Sequence, residues 1–461
     1  MNYEVKCRSY LGSSFPIHRS RLEIVSGKRA YVRCGFFSVK WLFVTRPVCL
    51  AGNAAPAAAW CVVLLFSVAS AAQIPADNWA RCEGSEPDAS IAACTALIVS
   101  GKEDNENQAV AFNSRGIAFA MRGQQDQAIA DFDRAIQLEP DYAGAFSNRA
   151  NAHAARSEFD QAMADYDRAI QLKPDDGDAY NYRGVAYAIM GQFDKAIADF
   201  DHAIQLKPEN AGALNNRGSA YDSMGEYERA IVDFDKAIEL KPDYAEAYSN
   251  RGNAYTDEHQ YDKAIADYTQ ALQLNPGDSG TYCNRGIRYL AKGKLDEAIA
   301  DFDKALQIRP DLTEGYEARG VAYHDEDKEE RAIPDFDQAI RLKPDDAEAY
   351  SNRCFSRALV GQLSLALEDC NKSLALRSND AATLNRRALV HLKMNDAEGA
   401  MADYNSVLVM NPVMAISLYG RGVAKQRSGD AAGAVTDMNA AQAIQADVAG
   451  QFAKWGVTGK P

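Results

Sequence analysis

The chain has 461 residues, of which 47% are hydrophobic and 25% are charged, and its formal net charge is −14. Residues 1–72 carry nine Lys and Arg against two Asp and Glu, a net charge of +7, so residues 73–461 carry −21. The composition is that of a folded protein with ample core-forming material. Its acidic body excludes general affinity for nucleic acid, because phosphate binding needs a basic face.

The first 72 residues contain a stretch that is typical of an export signal. Its apolar run, Ala57 to Val68, is short for a transmembrane helix, which needs roughly 20 residues. The small residues 69–71 follow it and suit a cleavage site. We therefore expect export to the periplasm. An uncleaved anchor in the inner membrane, residues 57–72, is the alternative, and the long basic stretch before the run favours a start codon downstream of Met1.

Residues 73–108 are expected to form a degenerate capping hairpin. Residues 89–98, ASIAACTALI, resemble QAIADFDRAI at residues 127–136, with Cys94 where the later phrase has Phe132. Cys82 lies on the other arm. Two cysteines on opposite arms of a hairpin behind an export signal predict a disulfide between Cys82 and Cys94. Two small buried thiols are the alternative.

From residue 109 to 448 the sequence repeats with a period of 34 residues, and this period decides the fold. Prolines recur at that spacing from Pro140 to Pro344, and again at Pro412. The ten rows of 34 residues begin at Ala109, Ala143, Gly177, Ala211, Ala245, Ser279, Thr313, Ala347, Ala381 and Ala415.

Each row predicts two helices. Large apolar or aromatic residues at row positions 4 and 11 flank a small residue at position 8, and Ala at 20, an aromatic at 24 and Ala at 27 form a second face. A turn former near position 15 separates the helices, and proline at position 32 ends the second, because it cannot continue a helix. In row three these residues are Tyr180, Gly184, Tyr187, Gly191, Ala196, Phe200, Ala203 and Pro208.

This pattern resembles the tetratricopeptide repeat family over residues 109–448. The resemblance implies an all-α fold, an α-solenoid in which antiparallel helix pairs stack into a right-handed superhelix with the first helices on the concave side. Rows eight and ten lack the proline, and row seven has Pro334 inside its second helix, which should bend or loosen that helix. Row eight has Cys354 and Cys370 at positions 8 and 24, either a second disulfide or two packed thiols.

The chain is expected to close with a short cap and tail, residues 449–461. Phe452 and Trp455 are three residues apart, as a short helix covering the last repeat would need.

Every row carries an arginine at position 7 and an aspartate at position 23. Each stands one residue before a buried position, where a charge without a partner is rare. We expect partly buried ion pairs between neighbouring helices, among them those of Arg217, Asp233, Arg251 and Asp267. The sequence leaves open whether the partner lies in the same row or the next. Arginines directed at an anionic ligand are the alternative, but that hypothesis does not explain the matching aspartates.

The resemblance implies that positions 2, 5, 9, 12 and 13 of the first helices line a groove for a partner. Position 5 is small and polar in most rows, which suits hydrogen bonds to an extended peptide. The lining is acidic between rows four and seven, where it includes Glu246 and Glu314, and apolar in rows eight to ten. The predicted groove residues are Asn181, Asn215, Asp222, Ser249, Asp257, Glu317, Asp325, Phe355 and Leu389.

No catalytic or metal-binding constellation stands out. The six histidines fall at unrelated positions, the carboxylates recur as solvated helix faces, and no Gly-rich phosphate loop is present. We therefore predict no enzyme, no cofactor and no metal site. The predicted function is a scaffold that binds protein or peptide segments, basic or polar ones at the acidic rows. A structural, self-associating component of the cell envelope is the alternative, and the oligomeric state is left open.

Overall fold

A computed structural model of the protein describes residues 20–22, 30–32 and 78–458. Two short strands, β1 (Ser20–Leu22) and β2 (Ala30–Val32), pair antiparallel with Arg21 opposite Tyr31, and no pattern in the sequence indicates this pair. The signal-like segment 57–72 lies outside the described residues. No helix in the described part of the chain has both the length and the apolar character that crossing a membrane requires.

The repeat region is helical throughout, which confirms the all-α prediction. Helices α1 (Asn78–Cys82) and α2 (Pro87–Ser100) precede the ten rows, and α23 (Val448–Lys454) follows them. The first helices of rows one to ten carry odd numbers from α3 to α21: Asn105–Met121, Ala143–Ala155, Gly177–Ile189, Ala211–Met224, Ala245–Asp257, Ser279–Ala291, Thr313–Asp325, Ala347–Leu359, Ala381–Lys393 and Ala415–Arg427. The second helices carry even numbers from α4 to α22: Gln125–Leu138, Phe159–Leu172, Phe193–Leu206, Tyr227–Leu240, Tyr261–Leu274, Leu295–Ile308, Glu329–Leu342, Leu363–Leu376, Ala397–Met410 and Ala431–Ile444.

The helices belong to two compact units, one ending at Gly225 and the other beginning at Glu226. The boundary falls between the two helices of row four. Within each unit, a first helix packs against the second helix of its own row, and that second helix packs against the first helix of the next row.

The turn between the two helices of a row is made at position 15, which has a positive φ in all ten rows, from 57° to 94°. Six rows place glycine there, because glycine enters the left-handed region without a steric cost. The other four rows place Ser157, His259, Asp327 and Asn395 in the same conformation. Position 15 is therefore a fixed turn site even where glycine is missing.

The core of a row forms where the aromatic ring at position 24 lies on the small residue at position 8. In row five the Tyr268 ring is so close to Gly252 that a Cβ on the glycine would lie 2.7 Å from Cε1. Four other rows have the same close approach of glycine to an aromatic ring. The alanines at positions 20 and 27 are buried beside the ring, for example Ala264 and Ala271. Small residues at positions 8, 20 and 27 thus let the two helices approach each other closely.

Pro334 neither ends nor interrupts its helix, since α16 runs from Glu329 to Leu342. The helix is therefore continuous through Pro334, and a bend at this residue stays a prediction. Pro334 is exposed and stands in the second turn, so the bond that it cannot donate is one to the carbonyl of Glu330, itself an exposed residue.

Candidate partner-binding surface

The arginine at position 7 and the aspartate at position 23 are partners within the same row. In the nine rows that lie inside one unit, Nε and Nη2 of the arginine donate to both carboxylate oxygens of that aspartate at 2.6–2.9 Å. The aspartates are only 3–7% exposed. The pair of Arg251 with Asp267 has this two-point geometry, at 2.7 Å for both bonds. The pair of Arg217 with Asp233 spans the two units and stays a prediction.

A third partner of each arginine was not predicted. Nη1 donates to the residue at position 25 of the preceding row, so Arg251 bonds Asp235 at 2.5 Å. The acceptor is Asp for six arginines, but Thr269 for Arg285 at 3.0 Å, and Asn371 and Asn405 for Arg387 and Arg421 at 2.8 and 2.9 Å. Arg115 of the first row bonds Thr95 of α2 instead, at 3.0 Å. Every row has a short polar residue at position 25, which could have indicated this third partner. The residue is Asp, Thr or Asn in different rows, so no single residue type recurs there as it does at positions 7 and 23. Position 25 requires an acceptor, not a charge.

The environment of each arginine stabilises its charge. Burial disfavours the guanidinium of Arg251, but the hydrogen bonds and charges of Asp267 and Asp235 outweigh it and raise the pKa of Arg251. The same guanidinium lies over the rings of Tyr248 and Tyr255, at 5.5 and 5.9 Å from their centroids. All three kinds of donor nitrogen are engaged inside the protein, which argues against an anionic ligand at these arginines.

The polar residues at position 5 make contacts between rows, in contrast to the open peptide-binding face that the sequence predicts. Asn216 donates to Asn181 Oδ1 at 3.0 Å. The hydroxyl groups of Ser249 and Thr281 are hydrogen-bonded at 2.8 Å, and Ser249 is buried. Asn215 is 1% exposed. Ser249 is therefore not a surface residue of a groove, because Thr281 of the next first helix covers it, and Asn215 is buried as well.

The predicted acidic lining divides into buried and exposed members. Asp222 and Glu317 are 8% and 6% exposed, so neither presents its charge to solvent. Asp257 and Asp325 are exposed, and so are Glu246 and Glu314 at position 2 of the same helices, α11 and α15.

Glu317 belongs to a buried group of carboxyls. Burial, followed by the charge and hydrogen bond of Asp346, raises the pKa of Glu317 well above its ordinary value. Burial opposes the charged form of Asp346, but the hydrogen bond from Lys343 at 2.8 Å, the charge of Lys343 and the hydrogen bonds from Glu317 and the Ala349 amide together outweigh burial and lower the pKa of Asp346. Burial also raises the pKa of the neighbouring Glu348 to about 7, although the charge of Arg386 opposes this shift. Burial thus disfavours a charge on Glu317, and its side chain is not part of an exposed anionic surface.

The predicted apolar lining of rows eight to ten is covered by the chain's own C-terminal segment. Phe355 and Leu389 are 5% and 2% exposed and belong to one core cluster with Val448, Phe452 and Val457. The expectation that Phe355 and Leu389 are open to a partner is therefore wrong in this structure, because α23 and the residues after it lie against them. The segment does more than cover the last repeat.

Both cysteine pairs form disulfides, Cys82 with Cys94 and Cys354 with Cys370. Cys354 and Cys370 occupy positions 8 and 24, where the other rows place a small residue against a large side chain. Cys94 aligns with Phe132, so the first pair also replaces a ring contact. In both hairpins a covalent bond joins the helices at the point where the other rows use packing.

The described residues show no cluster of side chains that would form a metal site. Among the described residues, no group of three or more His, Cys, Asp or Glu side chains is arranged to hold a metal ion. Cys283 is a free cysteine, and burial raises its pKa to about 12. A thiol with so high a pKa is a poor nucleophile near neutral pH.

Comparison with family models finds tetratricopeptide repeats along the chain. The models described as tetratricopeptide repeat match residues 149–213, 245–278, 313–346 and 385–449, and one described as TPR repeat matches 116–156, 221–258 and 286–327. The comparison with curated protein sequences finds no match.

Solved structures with similar repeats match parts of the chain. A tetratricopeptide repeat protein from Parabacteroides merdae is 21% identical over 54% of this chain and 99% of its own, with a TM-score of 0.43. YrrB, described as a TPR protein with an unusual peptide-binding site, is 24% identical over 40% of this chain and 95% of its own, with a TM-score of 0.35. MamA is 27% identical over 35% of this chain and 94% of its own, with a TM-score of 0.33.

Proposed function

Because the chain belongs to the tetratricopeptide repeat family, we propose that it is a non-enzymatic scaffold whose first helices bind extended segments of partner proteins. The surface that best supports this proposal lies on α11 and α15, the first helices of rows five and seven. It takes basic or polar segments.

The carrying observation is the exposed acidic residues at both ends of these two helices. Glu246 and Glu314 occupy position 2, and Asp257 and Asp325 occupy position 13 of the same rows. All four are exposed, in contrast to the buried Glu317. We call these four residues the acidic edge. Like charges gathered on one surface raise the association rate of an oppositely charged partner and select against acidic ones.

The proposal predicts a salt-dependent interaction. At physiological ionic strength, the attraction between exposed charges is screened over a distance of about 8 Å, and added salt shortens this distance. Binding through the acidic edge should therefore weaken as the salt concentration rises. Partners are captured with residues 73–461 from a periplasmic extract, and the binding segment of the captured protein is synthesised as a peptide. Its affinity is then measured by fluorescence anisotropy over a series of salt concentrations.

The decisive variant reverses the acidic edge. Replacing Glu246, Asp257, Glu314 and Asp325 by Lys should weaken binding of the peptide and remove its salt dependence. A matched control variant reverses four exposed acidic residues of the same unit that lie away from positions 2 and 13: Asp243, Asp296, Asp311 and Glu330. Circular dichroism checks that both variants are helical. Equal loss of affinity in both variants, or in neither, would contradict binding at the acidic edge.

We also propose that the scaffold acts after export to the periplasm, and the disulfide of Cys82 with Cys94 supports this location. Disulfides of this kind persist in oxidising compartments. In protein prepared from the periplasm, non-reducing peptide mapping should recover the two cysteines as one linked peptide. Free thiols at both positions in native material would count against export.

A further inference from the structure

The C-terminal segment 448–457 lies along the first helices of the last three rows. Phe452 is fully buried, 5.0 Å from the ring of Tyr419 in row ten. Trp455 stands edge-on to Phe355 of row eight at 5.5 Å. Lys454 reaches Asp327 of row seven at 2.7 Å. One short segment therefore contacts residues of rows seven, eight and ten, and two of them, Phe355 and Tyr419, stand at positions that line the groove in this repeat family.

The floor under this segment is an apolar groove, formed by Phe355, Leu389, Leu392, Tyr419 and Val423. All five are residues of first helices, at positions 5, 9 or 12 of rows eight to ten. The segment that lies on this groove carries two aromatic side chains three residues apart, Phe452 and Trp455. The groove therefore accommodates two aromatic rings at that spacing.

The segment is held differently from the helices of the rows. Each repeat in this unit is fixed by an arginine that bonds Asp at position 23 and an acceptor of the preceding row, whereas α23 carries no such arginine. Its ion pair, between Lys454 and Asp327, is about two-thirds exposed on both sides, and pairs of that kind contribute little. Lys393 donates to the carbonyl oxygen of Trp455 at 2.9 Å.

The environment of Lys393 indicates that the C-terminal segment does not fully satisfy the groove's polar groups. Burial lowers the pKa of Lys393, and the contact that it makes with the segment is to a neutral carbonyl. A partly buried ammonium is better stabilised by a charged acceptor than by a carbonyl, so the contact of Lys393 holds the segment only weakly.

We propose that the groove of rows eight to ten is a binding site for a partner-protein segment with two aromatic residues three positions apart, and that residues 448–457 occupy it until such a segment displaces them. This site goes beyond the proposed function, because it uses different residues from the acidic edge. Binding there is autoinhibited by the chain's own tail, and the apparent affinity of a partner equals its intrinsic affinity multiplied by the fraction of molecules whose tail is released.

The test uses the full chain and a fluorescent peptide with the sequence of residues 446–458, ADVAGQFAKWGVT. A tethered segment competes at an effective concentration in the millimolar range. The peptide should therefore bind the variant Phe452→Ala/Trp455→Ala, whose tail lacks its anchors, at least about tenfold more tightly than it binds the wild type. A peptide with alanine in place of both aromatic residues should bind neither protein. A variant with Val435→Ala, at an exposed site of the last row, serves as the control and should behave like the wild type.

Equal binding to the variant and the wild type, or no binding to a folded variant, would overturn the proposal. If the variant loses helical circular dichroism, hydrogen exchange of the wild type decides. Amides of 448–457 that exchange well before those of α21 support a displaceable tail, whereas equal protection makes the segment a permanent part of the core. Charge reversal of the acidic edge should not alter peptide binding, which separates this site from the proposed function.

Discussion

Replacing Arg251 by leucine removes one guanidinium from the middle of the charged network. Asp267 is 6% exposed and accepts two bonds from that guanidinium, so the substitution leaves its carboxylate buried without this partner. Stranding a buried charge costs about 3–5 kcal/mol. The bond to Asp235 adds about 0–1 kcal/mol, because the Asp235 side chain is 54% exposed. The expected loss in the free energy of unfolding is therefore dominated by Asp267.

A double-mutant cycle tests this reasoning. Adding Asp267→Leu to Arg251→Leu should recover much of the loss, because replacing both partners of a buried pair by apolar residues can be neutral. Asp267→Leu alone should cost less than Arg251→Leu, since Arg251 keeps Asp235. The control is Asp235→Asn, which copies the natural Asn371 acceptor and should change the free energy of unfolding by less than about 1 kcal/mol.

The assay is urea unfolding followed by circular dichroism for the four proteins of the cycle and the control. Neutral single variants whose effects simply add in the double variant would show that no coupled pair exists at this site. A large effect of Asp235→Asn would refute the conclusion that position 25 needs only an acceptor.

Three further predictions concern single sites. Burial raises the pKa of Glu348 to about 7, so the folded state holds this proton more firmly than the unfolded state, whose pKa is near 4.5. The free energy of unfolding should thus fall by up to about 3 kcal/mol between pH 5 and 8, and Glu348→Gln should flatten that slope in urea titrations. Replacing Cys354 by Gly and Cys370 by Phe rebuilds the packing of the other rows, so the variant should fold and lose at most about 3 kcal/mol with the cross-link. Its remaining response to reductant should come from the disulfide of Cys82 with Cys94 alone, and failure to fold would contradict this equivalence. Gly252→Ala should lose about 1–3 kcal/mol in thermal unfolding, because its Cβ would press on the Tyr268 ring, and an unchanged melting temperature would disprove that contact.

The repeat period and the apolar helical faces are sufficient to predict most of the fold from the sequence. A residue type that recurs at one position in ten rows is an observation made ten times, which is why Arg251 and Asp267 could be paired from sequence. Position 25 was missed because it preserves only an acceptor. The burial of Glu317 could not be predicted, since helical periodicity fixes which residues share a face but not how far the next helix covers that face. The cap over the last repeat could be predicted, but its contacts with rows seven and eight could not, because the segment occurs once and no repetition indicates what it contacts.

The bonding of each arginine to its own row and to the row before has a consequence for how this gene can change. A 34-residue block brings its own arginine, its own aspartate and the acceptor that the following block requires. Duplicating or deleting a whole block therefore leaves every junction chemically equivalent to the one that it replaces. Whole blocks keep the 16-residue spacing between each acceptor and its arginine, as for Asp235 and Arg251. Only at the first junction, where Arg115 bonds Thr95 of α2, does the spacing differ, at 20 residues. The charged network thus makes the row the unit in which the array can lengthen or shorten during evolution, while the two ends, closed by a disulfide hairpin and by the tail, stay constant.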